Sequence, residues 1–212
     1  MTPFCTDTDL LHWEPALLRT ASFVSQTLLA GTGNLAGTTF TISSGSFTAS
    51  HVEADQTIAL DGTINGCFSI MTVDSATQLT LSVLYDQLFD DNPEASPITS
   101  ATGIAYAIRS FWAQRQIVSE MLMQAIGLEP DESSKIANSD ALRRPCVLGT
   151  IQMIYSALAA AADDPAALIV RADLYERLYR RALRNTKVEL DLDGDGYADT
   201  VRALNIVELR RT

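Results

Sequence analysis

Between Thr20 and Ile108 the chain has no lysine and no arginine, an interval of 89 residues in a protein of 212. Eight acids stand in that interval: Glu53, Asp55, Asp61, Asp74, Asp86, Asp90, Asp91 and Glu94. They contribute −8 of the formal net charge of −11. Residues 109–212 hold 14 basic and 15 acidic residues and nearly balance. Affinity for nucleic acid comes from cations that displace counterions from phosphate, so such a chain is a poor free nucleic-acid binder. Cysteine is scarce, odd in number and dispersed: Cys5, Cys67 and Cys146 make neither a disulfide framework nor a paired metal knuckle. Buried thiols in a reducing compartment are the expectation. No apolar run of the roughly 18 residues a membrane helix needs occurs. Met1-Thr2-Pro3-Phe4 lacks the basic start of a signal peptide, and no Asn-x-Ser/Thr site is present; both fit synthesis in a cytoplasm. Nucleophile-elbow, zinc-protease and phosphate-loop patterns are missing, and Gly31-Thr32-Gly33 has no lysine after it. The histidines, His12 and His51, have no Ser or Cys partner at a recognisable spacing. A packing or surface role is expected for each, and no enzymatic activity.

What is present supports a folded protein. The hydrophobic fraction is 47%, ordinary for a globular chain. Residues 6–30 read as helix: Asp7-Thr8-Asp9 offers caps, Pro15 starts a second segment, and Leu17, Ala21, Val24 and Leu28 recur at helical spacing until Gly31 and Gly33. Over residues 38–85, β-branched and polar residues alternate. Five short strands are predicted, at Thr38–Ile42, Ser46–Ser50, Thr57–Leu60, Cys67–Val73 and Gln78–Tyr85. Asp61-Gly62 and Asn65-Gly66 are turn dipeptides between them. Residues 86–100 read as an acidic connector. Helices follow near 102–127, 141–162 and 165–184, separated by a polar loop at 128–139. Lys187–Leu190 and Thr200–Val207 read as strands.

The expected fold class is therefore α+β: a helical bundle with an inserted small antiparallel β module, barrel or sandwich, and a C-terminal β-hairpin. The domains would be residues 1–35 with 101–186 as helical core, 36–100 as the insertion, and 187–212 as hairpin and docking tail. Insertion is favoured because the first helix is amphipathic and needs a partner.

Two charge clusters are candidate sites. Asp191, Asp193, Asp195 and Asp199 alternate with glycines in Asp191-Leu192-Asp193-Gly194-Asp195-Gly196-Tyr197-Ala198-Asp199. Carboxylates at alternate positions around a tight turn can supply several of the six to eight oxygens that Ca²⁺ takes. The twelfth position of an EF-hand loop would be Arg202 rather than Glu, so a short calcium loop between strands is one reading and a solvated, metal-free turn the other. Arg177, Arg180, Arg181 and Arg184 crowd the end of one helix, where cations suit the helix dipole. They form a phosphate- or acid-binding patch, a solvated face, with Asp173, Glu176 and Glu189 near enough to pair, or a protein–protein contact.

Asp9-Leu10-Leu11-His12-Trp13-Glu14-Pro15 resembles the opening of small neck and tail-completion proteins of tailed bacteriophages. The block from Ser46 to Ser82 is similar to the small β modules of phage structural proteins. Helices followed by a strand hairpin resemble the head-to-tail connector, or adaptor, family. That resemblance implies a virion protein of the neck, made in the host cytoplasm. It also implies a homo-oligomeric ring, commonly twelve-fold, that meets the portal on one side and a stopper or tail-terminator protein on the other. DNA would transit the ring without sequence-specific binding, with no membrane and no required cofactor. The family's C-terminal docking would fall on Ala203–Thr212, with Leu204, Ile206, Val207, Leu209, Arg210 and Arg211 as contacts. A tail-terminator or stopper, another tail structural protein, and a calcium-dependent binding module are the alternatives.

Overall fold

The computed structural model describes residues 1–21, 24–83 and 95–204. It is mixed α and β and divides into two compact units, Thr6–Phe111 and Met1–Cys5 with Trp112–Thr212. The expected β module is present as a closed barrel, and the C-terminal hairpin is present as well.

The barrel unit opens with α1 (Asp7–Trp13) and α2 (Leu17–Thr20). Its cap is Thr6 rather than Asp7: the Thr6 hydroxyl accepts from Asp9 N–H, and the Asp9 carboxylate accepts from Thr6 N–H. Asp7 is buried and accepts from the Ser110 hydroxyl and Phe111 N–H, which fastens α1 to the far end of the unit's chain. Pro15 precedes α2 by two residues instead of starting it.

Six antiparallel strands follow: β1 (Thr27–Ala36), β2 (Thr39–Ile42), β3 (Thr57–Asp61), β4 (Gly66–Ser75), β5 (Gln78–Ser82) and β6 (Ala101–Arg109). They close in the order β1-β2-β5-β4-β3-β6, with β6 pairing back onto β1. Two expectations are corrected here. Residues 27–36 continue no helix, and residues 101–109 are a strand, so helix begins only at Trp112. Ile104, Tyr106 and Ile108 all point into the barrel at a period of two, while Ile104 and Ile108 also satisfy a helical spacing of four. Gly33 is no helix stop: a Cβ there would lie 2.4 Å from the Phe40 ring and 2.8 Å from the Thr41 carbonyl oxygen. The strand needs glycine so that Phe40 can fill the barrel, where it packs edge-on to Tyr106 at 5.2 Å. Ser46–Ser50 forms turns, not a strand. The Ser46 hydroxyl accepts from Ala49 N–H, a local bond that competes with sheet pairing.

The second unit carries α3 (Trp112–Ala125), α4 (Arg143–Ala161) and α5 (Ala166–Asn185), then β7 (Lys187–Leu190) and β8 (Thr200–Ala203). α4 and α5 lie close to where the periodicity puts them, while α3 fills only the later part of the expected 102–127 helix. The expected helical bundle is not shown: among the described residues before Trp112 the helices are α1, α2 and a 3₁₀ turn at Val24–Gln26, all short. Gly149 lets α4 approach both neighbours: a Cβ there would sit 2.9 Å from Val118 of α3 and 3.0 Å from Tyr179 of α5. Tyr155 and Tyr175 stack at 5.8 Å across α4 and α5. Two 3₁₀ turns, Pro130–Lys135 and Ser139–Leu142, occupy the expected polar loop. The link between them braces β7: Ala137 N–H donates to the Glu189 carbonyl, and Asn138 Oδ1 accepts from Glu189 N–H.

Candidate functional site

Three features gather groups able to do chemistry or to bind. The first is the loop between β7 and β8. Val188 and Leu190 are buried, so the strand base is fixed while the loop stands in solvent. Asp191, Asp193 and Asp195 bring one carboxylate oxygen each within 4.8 Å of the others. The fourth acid is used differently: the Asp199 carboxylate accepts from Leu192 N–H at 2.6 Å and Asp193 N–H at 3.3 Å, closing the loop at its base. Asp191 accepts from Gly194 N–H at 2.7 Å and Gly196 N–H at 2.9 Å. Those two backbone donors, Gly196 foremost, hold the Asp191 carboxyl below the usual aspartate range. Asp195 accepts from Tyr197 N–H at 2.8 Å. Like charges this close repel one another; backbone N–H groups offset part of that, and a hard cation would offset more.

The second feature is the outer face of α5. Val170, Leu174, Arg177, Arg181 and Arg184 follow spacings of four, three, four and three, which places them along one stripe of the helix. Val170 is 66% exposed and Leu174 44%, and the three arginines are exposed. The opposite side carries Tyr175 and Ala182, which are buried. Arg180 lies beside the stripe and pairs with Glu176 at 2.5 Å. The expected arginine cluster is therefore one end of a longer surface whose other end is apolar, a continuity that helical spacing alone would have disclosed.

The third feature is the acidic surface of the barrel unit. Glu53, Asp55, Asp61 and Asp74 are all exposed. The unit's basic side chains are Arg19 and Arg109, and Arg109 donates to the Leu18 carbonyl at 3.0 Å. Asp74 accepts from the Thr72 and Thr80 hydroxyls at 2.6 and 2.8 Å, which fixes the orientation of that carboxylate on the β4–β5 face. Asp86, Asp90, Asp91 and Glu94 lie outside the described residues.

The remaining sequence candidates fall as follows. His12 sits in the last turn of α1, and His51 lies in a turn with φ of 55°. Leu204 is buried just past β8, whereas Ile206, Val207, Leu209, Arg210 and Arg211 lie outside the described residues. An open pocket of about 300 Å³ is lined by Thr2, Pro3, Phe4, Ser133, Ser139 and Asp140, the last its single carboxylate. Among the described residues no helix is long and apolar enough to cross a membrane. All three cysteines are buried, as expected, and Cys5 and Cys146 lie against each other, which their spacing of 141 residues could not announce.

No protein-family model, no curated protein and no solved structure matches this chain.

Proposed function

We propose that the chain is a non-enzymatic, ring-forming connector of a tailed-phage neck, in which the helical unit is the ring scaffold and the barrel an inserted module. The observation that carries this reading is the exposed stripe on α5. Apolar side chains continuous with arginines match the composition of protein–protein contacts, where Arg is enriched and hydrophobic area anchors. The acidic, nearly cation-free surface of a second copy's barrel unit is its electrostatic complement. Stripe and acids belong to different surfaces, so the contact is head-to-tail, and a head-to-tail contact generates a ring when its rotation closes.

In this reading the ring is twelve-fold, with the portal on one side and a stopper or tail-terminator protein on the other. The C-terminal segment 203–212 docks on the portal by adding a short strand to its sheet edge. Acids not used between copies face the lumen, where they repel phosphate and keep the duplex from adhering during passage. A tail-terminator or stopper position would use the same self-contact with another neighbour. Replacing Leu174 and Arg177 together by Glu tests the contact. Both side chains are exposed, so folding measured by circular dichroism should be retained while the oligomer is lost. An oligomer of unchanged mass would remove the stripe from the interface.

A second reading rests on the Asp191–Asp193–Asp195 cluster: the hairpin loop as a calcium-stabilised element of a binding module. Under it, chelation lowers the thermal midpoint, and Asp193→Ala or Asp195→Ala has the same effect without chelator. A midpoint indifferent to both calcium and chelator would leave the loop as a solvated turn.

A further inference from the structure

Cys5 and Cys146 are 141 residues apart in the chain, yet their sulfurs lie 2.9 Å from each other in the interior of the helical unit. A disulfide bond is about 2.05 Å, so the pair stands less than 1 Å from bonding distance. The surroundings are polar and specific. The Ser119 hydroxyl lies 3.4 Å from the Cys146 sulfur and accepts from Phe4 N–H at 3.0 Å. Arg115, buried on α3, donates to the Cys5 carbonyl at 2.7 Å. Cys146 occupies the first turn of the 19-residue α4, where a thiolate is favoured by the helix dipole.

We propose that Cys5 and Cys146 are a redox-active thiol pair that closes to a disulfide under oxidising conditions and locks the segment Met1–Cys5 onto α3 and α4. The Cys5 thiol donates to Cys146, and with Ser119 and the charge of Arg115 it draws the Cys146 thiol below its ordinary range against the opposing effect of burial. Cys146 is therefore the attacking sulfur. Burial pushes the third thiol, Cys67, up instead, so it is the poorer nucleophile.

With a small disulfide such as oxidised glutathione as oxidant, the chemistry balances. The Cys146 thiolate attacks one sulfur of the reagent, the reagent's S–S bond breaks, and the first glutathione leaves as a thiolate that takes up the proton Cys146 lost. The Cys5 sulfur then attacks Cys146 in the mixed disulfide. The second glutathione leaves and takes up the Cys5 proton. Two protein thiols are oxidised and one small disulfide is reduced to two thiols. Both cysteines are buried, so the reagent reaches them when the five-residue segment lifts from Ser119 and Arg115. Local opening of one segment costs less free energy than unfolding the whole unit. In a reducing compartment glutathione keeps the pair open; in an oxidising one the bond closes and opening stops.

The test uses the full-length protein, incubated natively with oxidised glutathione, then unfolded in an alkylating agent and mapped by peptide mass. The expected map joins the Cys5 and Cys146 peptides within one chain, with Cys67 alkylated. The thermal midpoint should rise by on the order of 10 °C, because the bond closes a very long loop. The Cys67→Ser variant should behave identically, and Cys146→Ser should show no shift. Recovery of Cys5 and Cys146 both alkylated from the wild-type protein overturns the proposal. So does Cys146 stopped at the glutathione adduct, or bonded to Cys67 or to another chain. None of these outcomes depends on whether the protein forms a ring.

Discussion

Single residues, Gly33, Asp7 and Asp191, decide how firmly each unit holds its own fold. A methyl group at position 33 must displace the Phe40 ring and the Thr41 carbonyl at once, and the backbone has little freedom to yield. Gly33→Ala is expected to cost about 1–3 kcal/mol, as overpacking does, read as a lower denaturation midpoint of the barrel unit. Asp7→Ala removes the acceptor to which the buried Phe111 N–H and the Ser110 hydroxyl donate. The expected loss is about 1–3 kcal/mol, with Asp7→Asn milder because it keeps an acceptor. The sequence marked Asp7 as helix-capping, but its true role depends on residues over a hundred positions away, and local patterns carry no such information. Asp191 was legible as a loop acid, and its backbone donors fix a pH response. Its carboxyl is held below the ordinary range by Gly196 and Gly194. The stabilisation is therefore complete above the unfolded-state value of about 3.9 and disappears as pH falls through the lower, folded-state value. The amide resonances of Gly194 and Gly196 should titrate with a midpoint below that of an ordinary aspartate, and Asp191→Asn should abolish the transition.

Whole elements were readable where only one period fitted the residues. β3, β4, β5, α4 and α5 stand near their expected limits because each has a single consistent alternation or stripe. β6 misled because Ile104 and Ile108 fit both a strand and a helix, and only the inward-facing Tyr106 between them decides for the strand. β1 has no clean alternation: its mid-strand residues are exposed, and Gly31 and Gly33 remove the side chains that would have shown it. Nor does local pattern say that a barrel needs closing strands, which β1 and β6 provide from the two ends of the unit. On α5 the stripe Val170–Arg184 lies on the helix face away from Tyr175 and Ala182. Val170→Glu should weaken self-association by tenfold or more, measured by sedimentation at several concentrations, with helicity unchanged. Arg180→Ala, beside the stripe and already engaged with Glu176, should change association less.

Across the whole molecule, charge is the organising asymmetry. The interval without Lys or Arg lies within the barrel unit, together with its strands and exposed acids. The helical unit holds 13 basic and 15 acidic residues and nearly balances, and five of its arginines stand on α5. The boundary between the two compositions, at Arg109, falls three residues before α3 begins, whereas at the other end Thr6–Arg19 belongs to the barrel unit and precedes the interval. If these acids face a DNA channel, replacing Glu53, Asp61 and Asp74 by their amides should increase retention of duplex DNA by the assembled protein, most strongly at low salt. The central claim, that copies of this chain close into a ring, is tested most directly by native mass spectrometry and electron microscopy of the purified protein, alone and mixed with a portal protein. The account predicts a discrete species of about twelve copies with a central opening, formed alone or on the portal. A single monomeric mass in both conditions, at concentrations well above those in an assembling cell, would contradict it.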